Sequence, residues 1–230
     1  MAGLAGERRG PLSAAPRYRW VFWDWNGTLL DDLGYAIGVR NRIFPRFDLP
    51  AIQSVEAYHE QFSFPVRLYY ERAGATDDNF VTIADAWMEE YVRGAETIPL
   101  HRDAAAALHA FGDAGLRQIL LSASDRRVLS RQLAYYGIEH YFTAVLGLNH
   151  IYATGKQELG DAYMRENRIP PHESLLIGDT LHDAEVAGRM GVDCILVARG
   201  HQDEKTLRTA GVPVLGRLTE AVGRVLSFSP

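Results

Sequence analysis

Apolar positions fall into two regimes along this chain. At Trp20-Val21-Phe22-Trp23 a short unbroken apolar run stops at Asp24 and passes into Trp25-Asn26-Gly27-Thr28-Leu29-Leu30. A run that is apolar at every position, without alternation, predicts a strand buried on both faces. Beyond it the period changes. Between about Tyr35 and Gly94 apolar residues recur at Tyr35/Val39/Ile43, Val55/Tyr58/Phe62, Val66/Tyr69/Tyr70 and Val81/Ala84/Trp87/Met88/Tyr91. That spacing is helical, and Pro45, Pro50, Pro65 and Gly74 punctuate it. The segment is too long for a simple crossover between neighbouring strands, so an inserted helical unit is expected over 34–94.

From Ile98 onward strands and helices alternate. Helices are predicted at 103–111, 127–136, 157–167, 181–190 and 219–226, and strands at 117–122, 142–146, 174–179 and 194–197. Glycines close several helices, Gly112 and Gly115 after the first and Gly137 after the second. Repeated β-then-α units predict an α/β fold: a doubly wound parallel sheet with helices on both faces, plus the helical insert. The expected division is a flexible leader at 1–16, a core over 17–33 and 95–230, and the insert over 34–94. The leader carries Arg8 and Arg9 but no apolar stretch, which does not read as a signal peptide.

Composition narrows the function classes. A net charge of −5 gives no basic footprint for nucleic acid, and no apolar run approaches the roughly 18 residues of a membrane span. A single cysteine, Cys194, leaves no internal disulfide and no cysteine-rich metal site; within Ile195-Leu196-Val197 it reads as a buried, inert strand residue. A cytoplasmic protein is expected, monomer or homodimer, with a small molecule as its partner.

Three strands end in polar groups, Asp24, Ser122 and Asp179, and Asp183 follows four residues after the last. In a parallel sheet such ends share one edge, where ligands collect. Asp179-Thr180-Leu181-His182-Asp183 spans a strand end and a helix start, so two carboxylates can approach one hard cation such as Mg²⁺. Lys156 follows Gly155 at a helix start, where an ammonium can reach a phosphoryl oxygen. Each residue also has a plain structural reading. Asp24 is a turn or capping acid, Ser122 a helix-capping hydroxyl in competition with Ser124, and Lys156 a solvated helix-start lysine.

Together, Asp24-Trp25-Asn26-Gly27-Thr28-Leu29, Ser122, Lys156 and Gly178-Asp179-Thr180-Leu181-His182-Asp183 resemble the four motifs of the haloacid dehalogenase (HAD) superfamily of phosphohydrolases, in order and spacing. The resemblance runs from about Trp20 to Val197 and points to the subgroup with a helical C1 cap after the first motif, which includes phosphoglycolate phosphatase. It implies that Asp24 is a nucleophile forming an aspartyl-phosphate, and that Mg²⁺ is held by Asp24, the main-chain carbonyl of Asn26, Asp179 and Asp183. Ser122, Ala123, Lys156, Gly27 and Thr28 would bind the phosphoryl group, Lys156 also offsetting repulsion between anionic substrate and nucleophile.

Asn26 departs from the family, whose phosphatases usually carry an acid two residues after the nucleophile. An amide does no general acid/base work, which is worth about 10²–10⁴-fold in rate. Three readings follow: a substrate whose leaving group needs no proton, such as an acyl phosphate or anhydride; an acid borrowed from elsewhere, with His182 the nearby candidate; or ligand binding with little turnover. A phosphomutase and a dehalogenase rank lower, the latter because its metal-free site has no need of Asp179 and Asp183. Within the insert, Arg40, Arg42, Arg67 and Arg72 are candidates for a second anionic group on the substrate, and Tyr35, Tyr69 and Tyr70 for packing on it. His59, His101, His150 and His201 show no ligand spacing and are expected to be surface or structural.

Overall fold

The structure, a computed structural model, describes residues 17–148 and 155–227, so the leader and His150 lie outside the described residues. Six strands form one parallel sheet: β1 (Trp20–Trp23), β2 (Arg117–Asp125), β3 (Phe142–Leu148), β4 (Ser174–Gly178), β5 (Asp193–Val197) and β6 (Val214–Leu215). Their spatial order is β3-β2-β1-β4-β5-β6. The chain therefore winds outward from β1 to one edge through β2 and β3, then returns to β1's other side and winds outward through β4, β5 and β6. The direction of winding switches at β1 and β4, and a crevice opens there at the carboxyl ends of the strands.

Four helices follow β1 before the chain rejoins the sheet at Leu100: α1 (Leu33–Ile43), α2 (Val55–Gln61), α3 (Val66–Arg72) and α4 (Phe80–Arg93). The chain leaves and rejoins the sheet through paired segments. Leu30 bridges Leu100 antiparallel, Asp31 N donates to Pro99 O at 2.9 Å, and His101 N donates to Leu29 O at 2.9 Å. The sheet's own helices are α5 (Ala104–Asp113), α6 (Arg126–Tyr136), α7 (Lys156–Asn167), α8 (Leu181–Met190), α9 (Glu204–Leu207) and α10 (Leu218–Ser227).

Alternation along β1 divides the core. Val21 and Trp23 face α5, α6, α10 and the four-helix segment, while Trp20 and Phe22 face α7, α8 and α9. Burying both faces of β1 explains why its sequence is apolar at every position. The fully buried indoles of Trp23 and of Trp25, two residues further on, each find an acceptor: Trp23 Nε1 donates to Gln118 Oε1 and Trp25 Nε1 to Gln132 Oε1, both at 2.9 Å. The helix closures follow the glycine signals, with Gly137 and Gly191 left-handed after α6 and α8. The two-residue β6 and the one-turn α9 carry too little pattern to be read from sequence. Among the described residues no helix is long and apolar enough to cross a membrane.

Candidate active site

Asp24 leaves the end of β1 and Asp179 the end of β4, and the parallel register of these neighbouring strands puts both acids at the switch point. Asp24 N donates to Ile177 O at 2.9 Å, extending the ladder one residue and fixing where the carboxylate begins. Asp24, Asp179 and Asp183 offer oxygens all within 4.8 Å of one another. The donor set is entirely carboxylate oxygen, which fits a hard cation such as Mg²⁺.

Lys156 opens α7, yet it is buried rather than solvated. Its Nζ lies 2.5 Å from Asp24 Oδ1 and also donates to Asp183 Oδ1. Burial alone would lower the ammonium's pKa, but the Asp183 and Asp24 charges outweigh it and hold the group protonated, well above its ordinary value. Burial pushes Asp24 up to about 6, with Lys156 opposing and Asp183 adding to the rise. Asp183 moves the other way: burial works against its charge, but the Lys156 cation holds it below the usual range. Burial drives Asp179 well up, with the charge on His201 opposing and those of Asp24 and Asp183 adding to the rise.

Each acid is aimed by its neighbours. Thr28 Oγ1 sits between Asp24 Oδ2 at 3.0 Å and Asp179 Oδ1 at 3.1 Å. Asp183 divides its two oxygens: Oδ2 closes a capping box at the start of α8, accepting from Asp179 N, Thr180 N and Thr180 Oγ1, which leaves Oδ1 for Lys156. Asp179 Oδ2 accepts from His201 N at 2.6 Å in a cradle walled by two glycines. A Cβ on Gly27 would lie 2.2 Å from that oxygen, and one on Gly200 2.0 Å from it. Gly27 further adopts φ +73°, the left-handed region.

Asp24, Asn26, Ser122, Ala123, Lys156, Asp179 and Asp183 all line one cleft of about 880 Å³. Gly27 and Thr28 lie behind them rather than in its lining, and the Gly27 N–H is spent on Asp32 Oδ1 at 2.7 Å. Ser122 is not a helix cap. β2 runs on to Asp125, which itself caps α6 by accepting from Arg127 N, while the Ser122 hydroxyl accepts from Ser124 N. Ser124 Oγ instead donates to Asn26 Oδ1 at 2.8 Å. The Asn26 amide is thus fully engaged, because its Nδ2 lies 2.9 Å from Asp32 Oδ2 and 2.6 Å from the Tyr91 hydroxyl.

Of the histidines expected to be surface or structural, His201 is not at the surface. It is buried in the cleft's lining, with Nε2 3.1 Å from Asp32 Oδ1 and Nδ1 2.8 Å from the Tyr58 hydroxyl. Burial would lower its pKa, but the Asp32 carboxylate raises it to about 9. Against its own burial, Asp32 is held low by the same pair. Tyr91 donates to Asp32 at 2.7 Å, completing a network of Asp32, His201, Tyr58, Tyr91 and Asn26. No spacing signal announces it, since Asp32 and His201 stand 169 residues apart.

The four arginines offered for a second anion do not line the cleft. Arg40 is buried among Tyr69, Gln61 and the Pro50 carbonyl, with its guanidinium 4.6 Å from the Phe44 ring centre. Arg42 pairs with Glu90, Arg67 with Glu71 and Asp77, and Arg72 donates to Gln61 O. Tyr69 and Tyr70 do line the cleft; Tyr35 turns away, its hydroxyl directed to the main-chain carbonyls of Glu90 and Tyr91. His101 is buried against Gly27 O, and His59 reaches Gly200 O at 2.9 Å. Cys194 is buried in β5, where desolvation pushes its thiol far up, as the inert reading expects.

The doubly wound sheet thus carries three acids and a buried lysine at its switch point. The chain belongs to the haloacid dehalogenase-like hydrolase family, whose model matches residues 21–197. Among solved structures it resembles a predicted phosphatase from Clostridium acetobutylicum at 18% identity, with a TM-score of 0.79 over 92% of this chain and 99% of that one. A predicted phosphoglycolate phosphatase from Haemophilus somnus shares 16% identity, with a TM-score of 0.74 over 90% and 98%. CbbY from Rhodobacter sphaeroides, solved with phosphate, shares 16% identity, with a TM-score of 0.68 over 88% and 96%. No curated protein sequence matches the chain. At these identities the structural likeness speaks to fold.

Proposed function

We propose that this protein is a Mg²⁺-dependent phosphohydrolase of a small phosphorylated metabolite, acting through an aspartyl-phosphate on Asp24. The observation that carries the reading is Lys156, buried and bridging Asp24 to Asp183 beside Asp179. The phosphatase names of the structural neighbours support it. Asp24, Asp179, Asp183 and the Asn26 carbonyl would hold Mg²⁺, which when bound would draw charge from the phosphoryl oxygens.

In this reading an Asp24 oxygen attacks phosphorus and the ester P–O bond breaks. With its pKa near 6, Asp24 is mostly ionised at neutral pH. Lys156 binds a phosphoryl oxygen and lowers the repulsion between nucleophile and dianion, and the Ser122 hydroxyl meets another oxygen. Helices α1–α4 act as the cap, closing the cleft against water. The test is phosphate release with Mg²⁺ from native protein, Asp24→Asn and Asn26→Asp. Activity in native protein that Asp24→Asn abolishes supports the enzyme. One observation favours a second reading, a weakly catalytic binder of phosphorylated ligands: every hydrogen-bonding group of the Asn26 amide is already committed. Silence in native protein, with activity gained only in Asn26→Asp, would select it.

A further inference from the structure

The cleft has two unlike ends. Carboxylates and Lys156 lie at its floor, whereas α2, α3, α4 and the α2–α3 loop contribute a wall of rings that includes Phe62, Phe64, Tyr70 and Trp87. Phe64 stacks on His182 across the cleft with centres 4.7 Å apart and planes 21° apart, and Trp87 stacks on Tyr91 at 4.9 Å and 19°. Val66 and Met88, at its edge, keep 41% and 44% of their surface exposed, so the apolar lining reaches solvent where a ligand would arrive. Among the described residues no lysine or arginine of α1–α4 lines the cleft. Arg127, on the sheet side, is held by Asp125, which leaves Arg131 at the exposed rim. Such walls favour a flat apolar body over a second carboxylate or phosphate.

The floor adds an independent constraint. A departing alkoxide is strongly basic and needs a proton, while a phenoxide, whose phenol ionises near pH ~10, leaves without one. The groups around Asn26 are poor donors by geometry. Its amide is not an acid, both His201 ring nitrogens are engaged by Asp32 and Tyr58, and the Tyr91 hydroxyl is bound to Asp32.

We propose, resting on the phosphohydrolase reading above, that the substrate class is the phosphate monoester of a phenolic alcohol. The Asp24 oxygen bonds to phosphorus as the P–O(aryl) bond breaks, and the electron pair of that bond departs on the aryl oxygen as phenoxide, which on release takes a proton from water and leaves hydroxide. A second water then attacks phosphorus and the aspartyl O–P bond breaks to restore the Asp24 carboxylate; one of that water's protons stays on the phosphate as its new hydroxyl and the other neutralises the hydroxide. The products are a phenol and inorganic phosphate.

The test is initial-rate phosphate release with Mg²⁺ from phenyl phosphate, benzyl phosphate, phosphoglycolate and acetyl phosphate. Phenyl and benzyl phosphate share the ring and differ in the basicity of the leaving oxygen. Native protein is expected to prefer phenyl over benzyl by about 10²-fold or more in kcat/KM, and Asn26→Asp to shrink that ratio about tenfold by helping the alkoxide leave. Trp87→Leu is expected to raise KM for phenyl phosphate more than for phosphoglycolate. Phosphoglycolate turned over as efficiently as phenyl phosphate would overturn the proposal, as would a phenyl-to-benzyl ratio unmoved by Asn26→Asp. So would benzyl turnover that His182→Gln selectively removes, since that residue would then be the acid. Acetyl phosphate, whose leaving group needs no proton, separates the two levels. Its hydrolysis, lost in Asp24→Asn, with no release from the ring esters, overturns the substrate class and leaves the hydrolase standing. Silence on all four overturns both.

Discussion

The two glycines around Asp179 support a sharp prediction. Ordinary contact for a Cβ begins near 3.4 Å, whereas a methyl at Gly27 would sit 2.2 Å, and at Gly200 2.0 Å, from Asp179 Oδ2. Either alanine must displace the carboxylate by more than about 1 Å, on the scale at which misplacing a catalytic group costs roughly 10²-fold. Gly27 adds a backbone term, because φ +73° in an alanine costs about 1–2 kcal/mol. Gly200 carries no such φ term, although its methyl would also lie 2.7 Å from the Gly27 carbonyl oxygen. Gly200→Ala is therefore expected to lose about 10²-fold in kcat/KM and to weaken Mg²⁺ binding, while Gly27→Ala loses at least as much and is further destabilised by about 1–2 kcal/mol. Gly188, inside α8 with open space at its Cβ, is the control, and Gly188→Ala should stabilise by roughly 0.5–1 kcal/mol. Urea melts, calorimetric Mg²⁺ titration and phosphate release measure the three quantities. Native-like Mg²⁺ affinity and turnover in Gly200→Ala would refute the cradle argument.

Other outcomes follow from the same packing. Lys156→Met strands buried carboxylates and should abolish phosphate release; in metal-free protein at neutral pH it should destabilise by about 3–5 kcal/mol, much of it recovered on acidification, as read by urea melts across pH. Gln132→Leu orphans the buried Trp25 N–H and the Ala95 carbonyl, and should lower stability by about 1–3 kcal/mol per group left unpaired with little change in KM. Asp103 is partly desolvated, which works against its charge, yet Arg199 at 2.6 Å holds its pKa below the ordinary carboxylate value. A carboxylate depressed on folding stabilises above its unfolded pKa, and the gain is lost as pH falls through the folded one. Melts of Asp103→Asn should therefore fall less steeply than native below pH ~4, and an unchanged acid limb would rule the pair out as its source.

What the sequence made legible was whatever is local. β1 announces itself because both faces are buried, α8 starts where Thr180 and Asp183 close a capping box, and the four motifs lie in order along the chain. The acid–base setting around Asn26 was hidden because it is assembled from Asp32, Tyr58, Tyr91 and His201, single residues from distant elements with no common period. Charge alone misled at Arg40. Its position on the buried face of α1 turns a candidate anion ligand into a group packed on Phe44 and Tyr69.

The paired segments around Leu30 and Leu100 have a consequence for how such a protein can change. Both ends of the four-helix segment are pinned side by side by main-chain hydrogen bonds, which any sequence can make. Leu29, Leu30 and Ile98 are buried in the core at this junction, so a helical unit of another length or lining would have to enter through these same residues, with its ends side by side. Replacing the segment would exchange the wall of rings and would also take the Tyr58 and Tyr91 hydroxyls away from His201, Asp32 and Asn26, while Asp24, Asp179 and Lys156 belong to the sheet and its helices. On the function proposed above, a chimera that keeps the floor and imports a wall must therefore also supply two hydroxyls in the places of Tyr58 and Tyr91.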